Sequence, residues 1–159
     1  MKNKIVALFV LCMLCVGMAS AQFSEEINKK WEERGINPQE VLDIREKMFL
    51  TQIYDIYFNY EEYKQKPIAL EGMFDKVGNI VGVEDNRNMV YRRSPGCCGN
   101  DGFDGFVINY NGDLPKENDW VKVYGIVCMG SETDPIQGIY LDVVGIEVLP
   151  TRGEEFVAQ

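Results

Sequence analysis

The sequence predicts a mainly β fold of the α+β kind, in which a small five-stranded barrel follows an N-terminal helical segment. Three observations lead there. Residues 24–65 carry apolar side chains at helical spacing between helix-start signals. Residues 67–150 break into short alternating runs separated by Gly, Asn, Asp and Pro. Three of those runs hold an internal glycine, Gly72, Gly125 and Gly145. A glycine inside a strand marks a bulge or tight bend, as barrel corners require.

The elements follow in order. Residues 1–21 read as a secretory signal peptide: basic Lys2 and Lys4, an apolar run from Ile5 to Met18, then Ala19-Ser20-Ala21 as a cleavage site. Cleavage near Ala21/Gln22 makes the protein exported, to the periplasm or cell envelope. The apolar run is too short to span a membrane comfortably, so no transmembrane span is expected in the mature chain. A lipoprotein reading would use Cys12 or Cys15, but Cys15 follows Cys-Met-Leu rather than small residues.

Residues 22–66 form the helical segment. Ser24 caps a short helix that Gly35 ends. Asn37-Pro38-Gln39-Glu40 is a second start signal, with Asn at the cap and Pro at the first helical position. Val41, Ile44, Met48, Phe49, Ile53 and Ile56/Tyr57 then make one helical face. Asn59 and Glu62 repeat the start signal, and Pro67 stops it. The aromatic group Tyr54, Tyr57, Phe58, Tyr60 and Tyr63 is read as helix-to-sheet packing in preference to a ligand-stacking surface.

Residues 67–150 supply five strands: "PIALEGMFDKVG", "NMVYRRS", "DGFVINYNG", "DWVKVYGIVCMG" and "IYLDVVGIEVLP". Five short strands with bends fit an OB-like barrel. Residues 151–159 are expected to be a flexible tail.

Charge and composition exclude several function classes. The 159 residues hold 25 acidic against 16 basic side chains and no histidine. So acidic a chain offers little for phosphate backbones, so nucleic acid is not an expected partner. Without histidine, no Ser–His or Cys–His catalytic pair exists.

Three cysteines lie beyond the leader: Cys97, Cys98 and Cys128. The first two stand in "RRSPGCCGNDGFDGF" (92–106), and Cys128 ends a strand, so all three are expected to gather at one end of the barrel. Adjacent Cα atoms about 3.8 Å apart make a Cys97–Cys98 bridge strained, since disulfides favour about 4.4–6.8 Å. A stable disulfide would instead join Cys128 to one of the pair. Alternatively, the thiolates of Cys97 and Cys98, with Cys128 or a carboxylate from Asp101 or Asp104, supply three or four zinc ligands, and thiolates also suit Cu(I). A thiol redox role is the third option: Arg92 and Arg93 favour a thiolate while Asp101 and Asp104 oppose it.

"FLTQIYDIYFNYEEYKQKPIALEGMF" (49–74), "MVYRRSPGCCGNDGF" (89–103) and "DWVKVYGIV" (119–127) together resemble the C-terminal extracytoplasmic domain of the putative permease-subunit family, the YcgQ-like bacterial proteins. The elements that carry the resemblance are Tyr63 to Gly72, Arg92, the Cys-Cys-x-x-Asp run Cys97, Cys98 and Asp101, and Trp120 to Gly125. That family usually carries membrane helices before this domain. The resemblance implies a functional Cys-Cys-Asp site and a partner among envelope or membrane transport proteins.

The expectation is therefore an exported binding module, not an enzyme, that holds zinc at Cys97, Cys98 and Asp101 with Cys128. The competing expectation is an interaction protein whose cysteines staple a loop.

Overall fold

The computed structural model describes residues 24–158; the signal peptide expected over residues 1–21 lies outside them. Ser24 caps helix α1 (Glu25–Glu33) by accepting the Ile27 N–H. Ile27 and Trp31, one turn apart, are its buried face. Gly35, at φ +73°, carries the chain out of the helix.

The second start signal works locally and then fails to propagate. Asn37 accepts the Gln39 N–H and Pro38 opens a helix, but it is a single 3-10 turn, Pro38–Glu40. The chain becomes extended and adds strand β1 (Leu42–Ile44) in parallel to Ile68–Leu70. Another 3-10 turn, Glu46–Met48, leads into helix α2 (Phe49–Phe58). The long helix expected from Val41 onward is thus corrected to a strand and a shorter helix. An exposed strand edge outcompetes helix propensity: pairing satisfies the backbone of β1, and Lys122 holds Asp43 at 3.0 Å and Glu71 at 3.4 Å. A one-turn helix α3 (Tyr60–Tyr63) follows.

The five expected strands are present: β2 (Pro67–Lys76), β3 (Asn88–Gly96), β4 (Gly99–Asn109), β5 (Trp120–Gly130) and β6 (Gly138–Val148). A short helix α4 (Val77–Val81), absent from the sequence reading, joins β2 to β3. The ladder runs β2–β3–β4–β6–β5 and returns to β2 through Ile68–Met73 against Trp120–Gly125, so five strands bond in a ring and β1 is a sixth on its flank. Gly125 and Gly145 flank an irregularity, and Gly72 and Gly145 sit at close approaches. A Cβ on Gly72 would lie 2.6 Å from the Tyr91 carbonyl, and one on Gly145 would lie 2.4 Å from Ile27 of α1. Gly125 stands at the register shift between β5 and β6.

Period-two alternation sorts the side chains. Ile68, Leu70, Phe74, Val90, Phe106, Ile108, Val121, Val123 and Leu141 face the inside of the ring, where Phe49, Leu50, Ile53 and Ile56 of α2 join them. Ala69, Tyr124 and Val144 face out under Ile27 and Trp31. Most of the aromatic group packs as expected. Tyr57 stacks on Phe106 at 5.3 Å, and Tyr54, Tyr60 and Tyr63 lie against the core. Phe58, 84 % exposed, does not.

The tail is not free. Beyond Tyr91, β3 leaves β2, and residues 154–157 take up its vacated edge. The Arg93 N–H donates to the Glu155 carbonyl at 2.8 Å, and the Val157 N–H donates back to the Arg93 carbonyl at 2.9 Å. Val157 is buried in the main core. An apolar side chain to bury and an unpaired edge to satisfy explain why residues 154–157 pack here.

Candidate metal site at the β3–β4 hairpin

Cys97 and Cys98 are the two residues of the turn between β3 and β4. Gly96 pairs with Gly99 across it, and the register slips between Ser94 and Gly96. Pro95, with no N–H for the ladder, falls at that slip. Neither cysteine has positive φ; Gly99, immediately after them, carries it at +113°. This is the economy of a turn closed by a following glycine, and it leaves both cysteines at the tip.

The tip stands clear of the sheet. The pairing of β3 with β2 ends at Tyr91, and that of β4 with β6 begins at Val107. Beyond those points the two strands pair with each other and, at Arg93, with the tail.

Arg92 anchors the root of this projection. Its buried guanidinium donates to the Glu71 carbonyl at 2.8 Å and the Glu154 carbonyl at 3.1 Å. It pairs with Glu46 at 3.6 Å and lies over the rings of Phe49 and Trp120. One side chain thereby ties β2, β3, β5, α2 and the tail together. Burial pushes its pKa down and the Glu46 carboxylate opposes that. Arg92 is thus spent on structure and is not the cation that would activate a thiol.

At the tip, Cys97, Cys98 and Asp101 are exposed and their ligand atoms lie within 4.8 Å of one another. The two Sγ atoms are 3.6 Å apart. Sulfurs sharing one tetrahedral zinc at about 2.3 Å stand roughly 3.8 Å apart, so the pair is already near the spacing that ion imposes. Asp101 is oriented rather than loose: its Oδ1 accepts the Cys98 N–H at 3.3 Å. A Cβ on Gly96 would fall 2.1 Å from that same oxygen, so only glycine leaves the carboxylate this space. The donor set, two thiolates and one carboxylate, suits zinc.

The other residues singled out from the sequence are elsewhere. Asp104 turns inward, where Ser94 Oγ and Tyr54 Oη (3.2 Å) donate to it. Cys128 stands opposite Tyr140 on β6, which in turn stands opposite Val107 on β4. Eight residues of β4 at about 3.3 Å each then separate that level from the tip, roughly 26 Å along the strand. The gathering of three cysteines at one end is therefore corrected: the strand that Cys128 ends runs to the opposite end of β4. All three thiols are free, and a Cys128 disulfide to either partner is out of reach. Cys128 is half-buried beside Gln65, and burial pushes its pKa up.

Gly96 and Gly99, which shape the turn and leave space for Asp101, are the residues that the sequence reading passed over. The signal was present as glycine on both sides of the pair, in "GCCG".

Residues 18–152 match the DUF1980 C-terminal domain. The chain belongs to that family. The match agrees with the resemblance carried by Cys97, Cys98 and Asp101, and it takes in both the ring and the hairpin. No curated protein matches the chain. Among the described residues of this DUF1980 domain, no helix is long and apolar enough to cross a membrane.

Proposed function

We propose that this protein is an exported, non-enzymatic metal-binding module that holds one zinc ion through Cys97, Cys98 and Asp101 and serves an envelope transport partner. The observation that carries the reading is the convergence of the three donors on one two-residue turn, with the sulfurs 3.6 Å apart. The leader-like residues 1–21 support export, and the acidic balance supports a cation as ligand. When bound, the ion would take its sulfur donors from Cys97 and Cys98 and its oxygen donor from Asp101. Gly96 and the Cys98 N–H hold that carboxylate in place. The rigid root at Arg92 keeps the turn at a fixed distance from the core.

The test is metal per chain, measured on protein purified from an exported fraction without chelator. About one zinc per chain is expected, and Cys97→Ser and Cys98→Ser should each lower it. Retention of full metal by both variants would sink the proposal.

A further inference from the structure

We infer that the site is built to hand its ion on: the ion keeps an open position that a cysteine or histidine of an acceptor protein fills, and transfer proceeds by ligand exchange. The inference rests on the zinc reading above and adds what the site does with the ion.

Four observations carry it. The chain supplies three donors at the tip, whereas a structural zinc is closed by four. Among the described residues the usual fourth donors are absent nearby: the chain has no histidine, and Cys128 lies roughly 26 Å away by strand rise. Asp104, the other carboxylate of the hairpin, is turned inward to Tyr54 and Ser94. Finally, Cys97, Cys98 and Asp101 are all exposed, on a turn that reaches past the pairing of β3 with β2 and of β4 with β6. An approaching side chain therefore meets the ion without any element having to move.

The exchange balances without an oxidant. The acceptor's thiol loses its proton to solvent, or its neutral imidazole offers a lone pair, and this donor replaces water on the ion. Further acceptor donors then displace Cys97, Cys98 and Asp101 in turn, and each released thiolate takes a proton from solvent. The ion keeps its charge throughout.

The experiment loads the reduced protein with zinc and mixes it with increasing concentrations of a small chromophoric chelator in a stopped-flow instrument. Size-exclusion chromatography with and without zinc runs alongside. Attack at an open position predicts a transfer rate that rises in proportion to chelator, about tenfold for tenfold more. It also predicts a zinc-loaded species of unchanged size. A rate independent of chelator would mean a closed site and overturn the inference while leaving the zinc site standing. A zinc-dependent dimer would put the fourth donor in a second copy and overturn it likewise. Failure of the reduced chain to load zinc would remove both this inference and the function beneath it.

Discussion

Replacing Gly96 by alanine tests the construction of the site without touching a ligand. The backbone tolerates the change, because Gly96 is not among the residues with positive φ. The difficulty is space: the new methyl would lie 2.1 Å from Asp101 Oδ1 and 2.7 Å from the Gly102 nitrogen. Ordinary contact begins at 3.4 Å, so the carboxylate, the easier group to displace, must move by more than an ångström and the Gly102 backbone by a smaller amount. Gly96→Ala should therefore swing Asp101 off the turn while the ring stays folded. Loss of an orienting group around a metal typically costs about 10–100-fold in affinity. That corresponds to about 1.4–2.7 kcal/mol of binding free energy. Competitive zinc titration against a chromophoric chelator reads the loss, and circular dichroism checks the fold. The pair Gly96→Ala and Asp101→Asn should be clearly non-additive, since both remove the same ligand. Wild-type affinity in Gly96→Ala, alongside weakened binding in Asp101→Asn, would refute the orienting role. Additive losses would mean that Gly96 acts on the sulfurs and not through Asp101.

Three other outcomes follow from the fold. Arg92→Ala should destabilise the protein by about 3 kcal/mol in chemical denaturation, because it removes the donor of the Glu71 and Glu154 carbonyls, each worth about 1–3 kcal/mol when left unsatisfied; a loss under 1 kcal/mol would contradict its anchoring role. Val157→Ala should cost about 1–2 kcal/mol through lost burial, although only two residues follow it in the sequence; an unchanged denaturation midpoint would mean that the tail is free. At high pH, Tyr57 is the group to watch. The residue is 42 % exposed, but its ring stacks on Phe106, and partial desolvation aided by the Asp104 charge pushes its pKa up to about 12; its hydroxyl donates to the Gly105 carbonyl at 3.0 Å. Because the folded value is the higher one, its contribution is complete below about pH 10 and is lost as pH rises toward about 12. Thermal midpoints should fall across that window, and Tyr57→Phe should flatten the fall.

The sheet was legible because alternation is a local signal with one interpretation. All five ring strands lie where Gly, Asn and Pro bound the apolar runs; Gly125 and Gly145 mark a departure from regularity, and Gly72 marks a close approach of β2 to Tyr91. The helical segment was less so. Val41 and Ile44 fit a helical face as well as an extended pair, and what decides between them is the edge of β2, about 26 residues further on. The tail misled for the same reason: Phe156 and Val157 look unstructured until β3 offers an edge to pair with. At the site, adjacency alone made Cys97 and Cys98 a pair, and Asp101 lay within reach of the same turn. Cys128 was drawn in by its place at a strand end, which does not say which end of the ring that strand reaches. Gly96 went unseen because its role is to be small beside a side chain five residues later.

X-ray absorption at the zinc edge of the loaded protein addresses the central claim most directly. The account predicts two sulfur ligands at about 2.3 Å, with the remaining scatterers oxygen or nitrogen near 2.0–2.1 Å, and one sulfur in each of Cys97→Ser and Cys98→Ser. A shell with no sulfur would place the ion among surface carboxylates, and a shell of three or four sulfurs would bring in Cys128 or a second chain; either would contradict a Cys97, Cys98 and Asp101 site.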